Sequence, residues 1–361
     1  MTLRVTSRAW AVAFALGFAA LAGCGRFGSG ATGASGDDKP VQTLWRPMGT
    51  YAAVSVPAAE AAQLPRYAAA VSNVFAQING LMSTYIATSE VCRINQAAGR
   101  APVTVSADTR KVLQEALRYG ELSGGAFDVT VAPLVFAWGF SGGKKPEHAL
   151  APEAVRDALT RVGYRHLKLS GDTAFLEQPG MAIDLGGIAK GYAVDVAFDA
   201  LARLGAKNVM VNLGGSSLRC VGNARPGRPW TIGVDNPFER GNLVGTVHLT
   251  GGLALATSGN YEKFVELDGK RYTHILDPRT GYPVEGVASV TVVTDNATAA
   301  DALSKPFFVL GLARAKEVLE RLPGCSVVII PDRQPLEIWV SPGARRLFEP
   351  FPDFAGAVRE L

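Results

Sequence analysis

The stretch Met181-Ala182-Ile183-Asp184-Leu185-Gly186-Gly187-Ile188-Ala189-Lys190-Gly191 runs from an apolar segment through an acid and two glycines into a helical pattern. It has the strand–turn–helix rhythm of a ligand-binding loop, but neither the Walker nor the Rossmann spacing is present. The helix it opens is expected over about Ile188 to Leu204, with Ala189, Tyr192, Ala193, Val196, Ala197, Ala200 and Leu201 on one broad face. Further helices are expected over Leu64 to Met82, Thr109 to Leu122 (stopped by Gly124-Gly125), Pro152 to Val162 and Ala313 to Leu322. Trp45 to Val56 reads as a strand entering after the Met48-Gly49-Thr50 turn, and further strand patterns fall at Asn208 to Leu213, Trp230 to Val234, Thr246 to Leu249, Ser289 to Thr294, Cys325 to Ile330 and Leu336 to Val340. No regular βαβ alternation emerges. The expectation is an α+β fold, mixed helices with largely antiparallel sheets.

The chemistry-bearing segments each allow two readings. In 184–191 the glycines permit close backbone approach, and the amides and dipole of a helix start favour an anion. Lys190 adds a charge in the first turn that the dipole disfavours unless an anion is near. The same pattern suits a tight connection with a solvated lysine. His274-Ile275-Leu276-Asp277-Pro278-Arg279-Thr280-Gly281-Tyr282-Pro283 is a loop with two turn signals. Its His, Asp and Arg suit phosphate contact or proton transfer, and equally a structured turn in which Asp277 caps Thr280.

Thr298 and Asp301 have capping-box-like spacing, while Asp301 is also a hard oxygen ligand for Mg²⁺ or Ca²⁺. Pro306 lacks an N–H and crowds the Ala302 carbonyl, so a helix is expected to kink there and free carbonyls for a metal. Leu81 to Tyr85, followed by Glu90, and Ala126-Phe127-Asp128 combine aromatics with acids; such aromatics either stack on a ligand or fill a core.

At the N-terminus, Arg4 and Arg8 precede the apolar run Ala9 to Ala20, too short to span a bilayer. Residues 1–23 therefore read as an export signal. Leu21-Ala22-Gly23-Cys24 resembles the bacterial lipoprotein cleavage box, making Cys24 the lipidation site. Two acyl chains, at roughly 0.8 kcal/mol per buried methylene, hold a protein stably at a membrane. Residues 24–41 are Gly/Ser/Ala-rich and read as a flexible tether, leaving 42–361 as the folded domain. The expected location is a bacterial membrane facing the periplasm, with Gly25 favouring the outer membrane because no acidic residue follows the cysteine. The net charge of +4 is small and scattered, which argues against a nucleic-acid partner. Cys92, Cys220 and Cys325 show neither a disulfide framework nor zinc spacing.

In order along the chain, Met48-Gly49-Thr50, MSTY at 82–85, AFD at 126–128, DLGGIAKG at 184–191, NLGG at 212–215, TSGNY at 257–261, HILDPRTGYP at 274–283 and ADALSK at 300–305 resemble the ApbE family of FAD:protein FMN transferases. The resemblance covers roughly Leu44 to Leu322. It implies an enzyme that cleaves FAD with help from Mg²⁺, attaches FMN by a phosphoester bond to a threonine or serine of an exported protein, and releases AMP. Acceptors of this kind are exported domains of membrane redox complexes. By the same resemblance Met48, Tyr85, Ala126, Phe127, Asp128, Asp184, Lys190 and Ile275 contact FAD. The metal is held by the Gly187 carbonyl, Asp301 and the Ser304 carbonyl, and His274 moves a proton or orients the reacting groups, on a loop ordered by Asp277 and Arg279. One departure stands out. Lys305 occupies a position where the family commonly has a threonine hydroxyl, and a protonated ammonium cannot ligate a metal. The expectation is a metal still used but held more weakly. Two other functions fit the same residues: an FAD-storing or FAD-delivering lipoprotein, and a pyrophosphatase that yields FMN and AMP.

Overall fold

Val209, Val211 and Leu213 point one way from their strand and Met210 the other, and this period of two recurs where Val327 and Ile329 oppose Val328 and Ile330. Such strands bury both faces. In the computed structural model, which describes residues 39–141, 146–322 and 324–361, they form a nine-stranded sheet. Its strands lie side by side in chain order: β1 (Val41–Trp45), β2 (Ala52–Val56), β3 (Val209–Leu213), β4 (Ser217–Val221), β5 (Ala254–Gly259), β6 (Val287–Thr294), β7 (Ser326–Pro331), β8 (Ile338–Val340) and β9 (Val358–Glu360). Every pair is antiparallel except the last, β8 with β9. The α+β expectation is met.

One face of the sheet packs on helices α1 (Leu64–Met82), α2 (Ala107–Leu122), α3 (Ala189–Arg203) and α4 (Ala297–Glu320). Helix α1 buries Leu64, Tyr67, Val71, Phe75, Ile78 and Met82, a single stripe at helical spacing. At about 1.5–3 kcal/mol for each large side chain, such burial outweighs any helix propensity. The other face meets a three-stranded sheet of Trp230–Asp235, Leu243–Leu249 and Phe348–Pro350. A small third cluster, built on Trp138, Leu134 and Val155, supports the hairpin Phe264–Leu267/Lys270–Thr273.

One local expectation is met and two are revised. The strand expected to enter after the Met48-Gly49-Thr50 turn does so as Ala52–Val56, with Met48 and Gly49 both at positive φ, and Val41–Trp45 is a further strand before the turn. The helix expected at Ala313 begins at Ala297, capped by Asn296, whose side chain accepts from the Ala299 amide; Asp301 is therefore no capping-box member. The break expected at Pro306 lies instead at Gly311, with φ 61° and ψ −169°. Proline's own φ suits a helix and forfeits one hydrogen bond, whereas this reversal of φ favours glycine.

Where α3 crosses α4 the helices nearly touch. A Cβ on Gly191 would stand 2.1 Å from the Ala297 carbonyl oxygen, so glycine is required by contact there. Cys92, Cys220 and Cys325 are unpaired, and no helix among the described residues is long and apolar enough to cross a membrane. Cys24, the signal and nearly all of the tether lie outside the described residues.

Candidate active site

A cavity of about 420 Å³ opens between the ends of α1 and α3 and the loop that follows the 264–273 hairpin. Its volume is in the range of small-molecule sites. Met48, Tyr85, Ala126, Phe127, Asp128, Asp184, Gly187, Lys190, His274 and Ile275 all line it. The structure thus brings together residues scattered over more than two hundred positions. Asp301 and Ser304 do not line it: they are 1% and 0% exposed, beneath a floor to which Lys305 contributes.

The glycine-rich turn works differently from its sequence reading. Asp184 Oδ1 accepts from the Gly186 amide at 2.7 Å, the Ala189 amide donates to the Leu185 carbonyl, and the Gly191 amide donates to Asp301 Oδ2 at 3.0 Å. These amides are spent within the protein. Positive charge at the cavity comes instead from the side chains of Lys190, Lys263 and Lys305. Lys190 Nζ is steadied by the Ser216 hydroxyl at 2.6 Å, just beyond the NLGG turn. Gly215 of that turn has φ 70°, and a Cβ on it would come 2.0 Å from the Tyr51 hydroxyl.

The aromatic segments divide into core and rim. Ala126 and Phe127 are buried, and Phe127 meets Tyr119 edge to face at 6.4 Å. Tyr85 is 76% exposed at the mouth, its hydroxyl accepting from Ser141 Oγ at 2.9 Å. Asp128 accepts from the Thr130 amide and hydroxyl and from the Tyr164 amide, at 2.6–2.7 Å. Those bonds take three of the roughly four lone-pair sites of a carboxylate, leaving it mainly a brace for the loop behind Phe127.

His274 faces the cavity from the other side. Its Nδ1 lies 3.0 Å from the Lys263 carbonyl, an acceptor, so Nδ1 carries the proton and Nε2 is the free acceptor of a neutral ring. Burial pushes its pKa down from 6.5 to about 4, opposed by the bond to the Lys263 carbonyl and aided by the charges of Lys263, Lys305 and Lys190. The ring is neutral at physiological pH. Asp277 does not cap Thr280 with its side chain; its carbonyl accepts the Thr280 and Gly281 amides, while its carboxylate takes the Arg279 amide and guanidinium.

At the floor, Lys305 Nζ donates to Asp301 Oδ1 at 2.7 Å, to the Asp301 carbonyl at 2.9 Å and to Ser304 Oγ at 3.2 Å. Burial works against the Asp301 carboxylate, but Lys305, Lys190 and the hydrogen bonds outweigh it and hold the carboxyl below its ordinary value. This set does not fit a divalent cation. Both Asp301 oxygens are engaged, and Mg²⁺ at about 2.1 Å from Oδ1 would stand within about 5 Å of the ammonium. Repulsion there is several kcal/mol per unit charge even at an effective dielectric of about 20. Among the described residues no group of three or more His, Cys, Asp or Glu side chains is placed to hold a metal.

Ser216, Glu262 and Lys263 also line the cavity and were not singled out from sequence. Ser216 and Glu262 stand directly after the quoted motifs NLGG and TSGNY and Lys263 one position further on, and that adjacency is their signal in the sequence.

A model of the ApbE family matches residues 48–329. The FAD:protein FMN transferase of Vibrio cholerae is 39% identical over 251 residues, 69% of this chain and 75% of that protein. That of Salmonella typhimurium is 32% identical over 314 residues, 85% and 87% of the two chains. Among solved structures, the flavin transferase ApbE from Vibrio cholerae aligns with a TM-score of 0.77 at 32% identity, covering 86% of this chain and 99% of that one. An ApbE protein from Thermotoga maritima aligns with a TM-score of 0.74 at 32% identity, covering 89% and 100%.

Proposed function

The chain belongs to the ApbE family, and from that premise we propose that it takes FAD into this cavity and transfers FMN to the hydroxyl of a threonine or serine on an exported protein. The observation that carries the reading is the meeting, in one cavity, of three lysines, an aromatic wall and a neutral histidine. Lys190, Lys263 and Lys305 supply the charge that a diphosphate requires, and phosphoryl transfer depends chiefly on such positioning and neutralisation. Tyr85 at the mouth offers a ring face for stacking, and the buried Phe127 contributes an apolar edge to the wall behind it.

His274 Nε2 accepts the proton of the acceptor hydroxyl as its oxygen bonds to the FMN phosphorus. The bond from that phosphorus to the bridging oxygen breaks, and AMP departs. The hydrogen bond from Nδ1 to the Lys263 carbonyl fixes the tautomer that this role demands. Asp277 and Arg279 order the loop that presents the ring. The N-terminal sequence supports export and anchoring through Cys24, facing the acceptor domains of membrane redox complexes.

The test is incubation with FAD and a threonine-containing exported domain, read by in-gel flavin fluorescence and intact mass. Covalent FMN on the acceptor with stoichiometric AMP is the expected result. Free FMN and AMP would make the chain a pyrophosphatase, and bound but unreacted FAD a carrier.

A further inference from the structure

We propose that the Lys305 ammonium is the resident cation of this site, so that the chain binds FAD and transfers FMN without a divalent metal. The proposal rests on the reading of the cavity as the FAD site, and it replaces the expectation of a weakly held metal. The geometry of Nζ carries it. An ammonium has three protons and no acceptor, and here it meets three oxygens, Asp301 Oδ1, the Asp301 carbonyl and Ser304 Oγ, at 2.7, 2.9 and 3.2 Å. Of the oxygens expected to hold Mg²⁺, the Asp301 carboxylate is the one charged ligand, and the lysine already takes its Oδ1 while the Gly191 amide takes Oδ2.

The surroundings are shaped for the lysine. A Cβ on Gly187 would lie in ordinary van der Waals contact with Lys305 Cε at 3.4 Å, so the lysine stem runs closely alongside the Gly187 backbone and the Phe127 ring. Gly191 lets α3 close on α4 and gives its amide to the second Asp301 oxygen. Asp301 is thereby fixed from two sides, with its side chain 2% exposed and that of Lys305 21% exposed. The ammonium spans the gap between buried carboxylate and cavity. Lys190, Glu262 and Asp301 are the charged groups around it. Beside Lys190 it places a second fixed positive charge where a bound diphosphate would lie. In the transfer it neither gains nor loses a proton: the acceptor proton goes to His274, and the leaving AMP oxygen carries its charge out past the two lysines.

The full chain, stripped with EDTA and then freed of chelator, tests this in two titrations. Mn²⁺ is added and followed by electron paramagnetic resonance, and FAD is added with and without millimolar MgCl₂ and followed by quenching of flavin fluorescence. The expected results are no saturable Mn²⁺ site and an FAD affinity unchanged by MgCl₂. One Mn²⁺ bound per chain, or FAD bound tightly only with MgCl₂, overturns the proposal. Failure of FAD to bind under either condition overturns the reading of the cavity itself, a distinct outcome. Lys305→Thr is expected to lose about tenfold in FAD affinity without metal, the scale of removing one unit charge several ångströms from a diphosphate in a partly solvated site. It is expected to recover with MgCl₂ and to gain a Mn²⁺ site. Should that variant not fold, Lys305→Arg, which keeps the charge, is expected to remain indifferent to MgCl₂, and the titrations of the parent chain decide the matter alone.

Discussion

Asp301–Lys305 under the cavity and Asp277–Arg279 in the loop that carries His274 are both ion pairs between near neighbours in sequence, and both show short contacts of 2.7 and 2.8 Å. Their settings differ. Asp301 is buried and receives its second donor from another helix, through the Gly191 amide. Asp277 is bonded to its own turn, and the Arg279 side chain is 35% exposed. One pair therefore ties α3 to α4 and fixes charge beneath the cavity, while the other shapes a loop whose position is held by something else. Nearly equal contact distances conceal unequal energies, because desolvation rather than distance sets what each partner loses when the other is removed.

The contrast is sharpest under truncation. Asp301→Ala strands an ammonium over a buried hole and leaves the Gly191 amide without its acceptor. The expected loss of folding stability is about 3–5 kcal/mol, measured by urea denaturation. A loss under about 1 kcal/mol would place this pair with the loop pair and break the comparison. The next largest effect tests what holds the loop. Gly281 has φ 81°, its carbonyl accepts from Trp138 Nε1 at 2.9 Å, and a Cβ would meet Val155 at 2.7 Å. Gly281→Ala is expected to cost about 1–3 kcal/mol and to lower FMN transfer through displacement of His274, read as a thermal shift alongside the transfer rate.

The same contrast explains what was legible in the sequence. Local patterns were readable: α1 was expected at Leu64 to Met82 and spans those residues, because Val71, Phe75 and Ile78 keep one unbroken stripe. Strand β5 carries no such signal, since Ala254–Gly259 has small residues at all positions but Leu255 and is buried on both sides, with no alternation. Within the site, residues inside long motifs were found. Ser216, Glu262 and Lys263, one or two positions past a motif, were not. Lys305 stood out as a departure from the family pattern, but its seat on Asp301 depends on how closely two distant helices approach. That approach is set by the missing side chain of Gly191, more than a hundred positions away.

Protonation of the loop gives the third test. The unfolded chain takes up a proton at His274 near pH 6.5, while the folded ring resists until about pH 4, chiefly because it is buried. Stability is therefore lost as pH falls through that window, levels off below it, and is unaffected by this group above it. His274→Gln is expected to flatten the fall in urea midpoint between about pH 6.5 and 4 and to reduce FMN transfer at neutral pH. An unchanged slope would mean that the ring is not held neutral by its surroundings.

The smallest effect is expected at the exposed pair. Arg279→Ala removes two contacts to the Asp277 carboxylate but keeps the Arg279 amide bond to Oδ1, and Asp277 can be hydrated where the guanidinium stood. The expected cost is about 0–1 kcal/mol, since a partly exposed pair of this kind recovers in solvation most of what it loses in attraction. Raising the salt concentration should shrink the cost further, whereas it should leave the effect of Asp301→Ala nearly intact, because ions screen the exposed pair and have little access to the buried one. Urea midpoints for the two variants at low and high salt thus separate the pairs directly. Equal salt sensitivity would show that solvent reaches Asp301, and with it the oxygens that Lys305 holds.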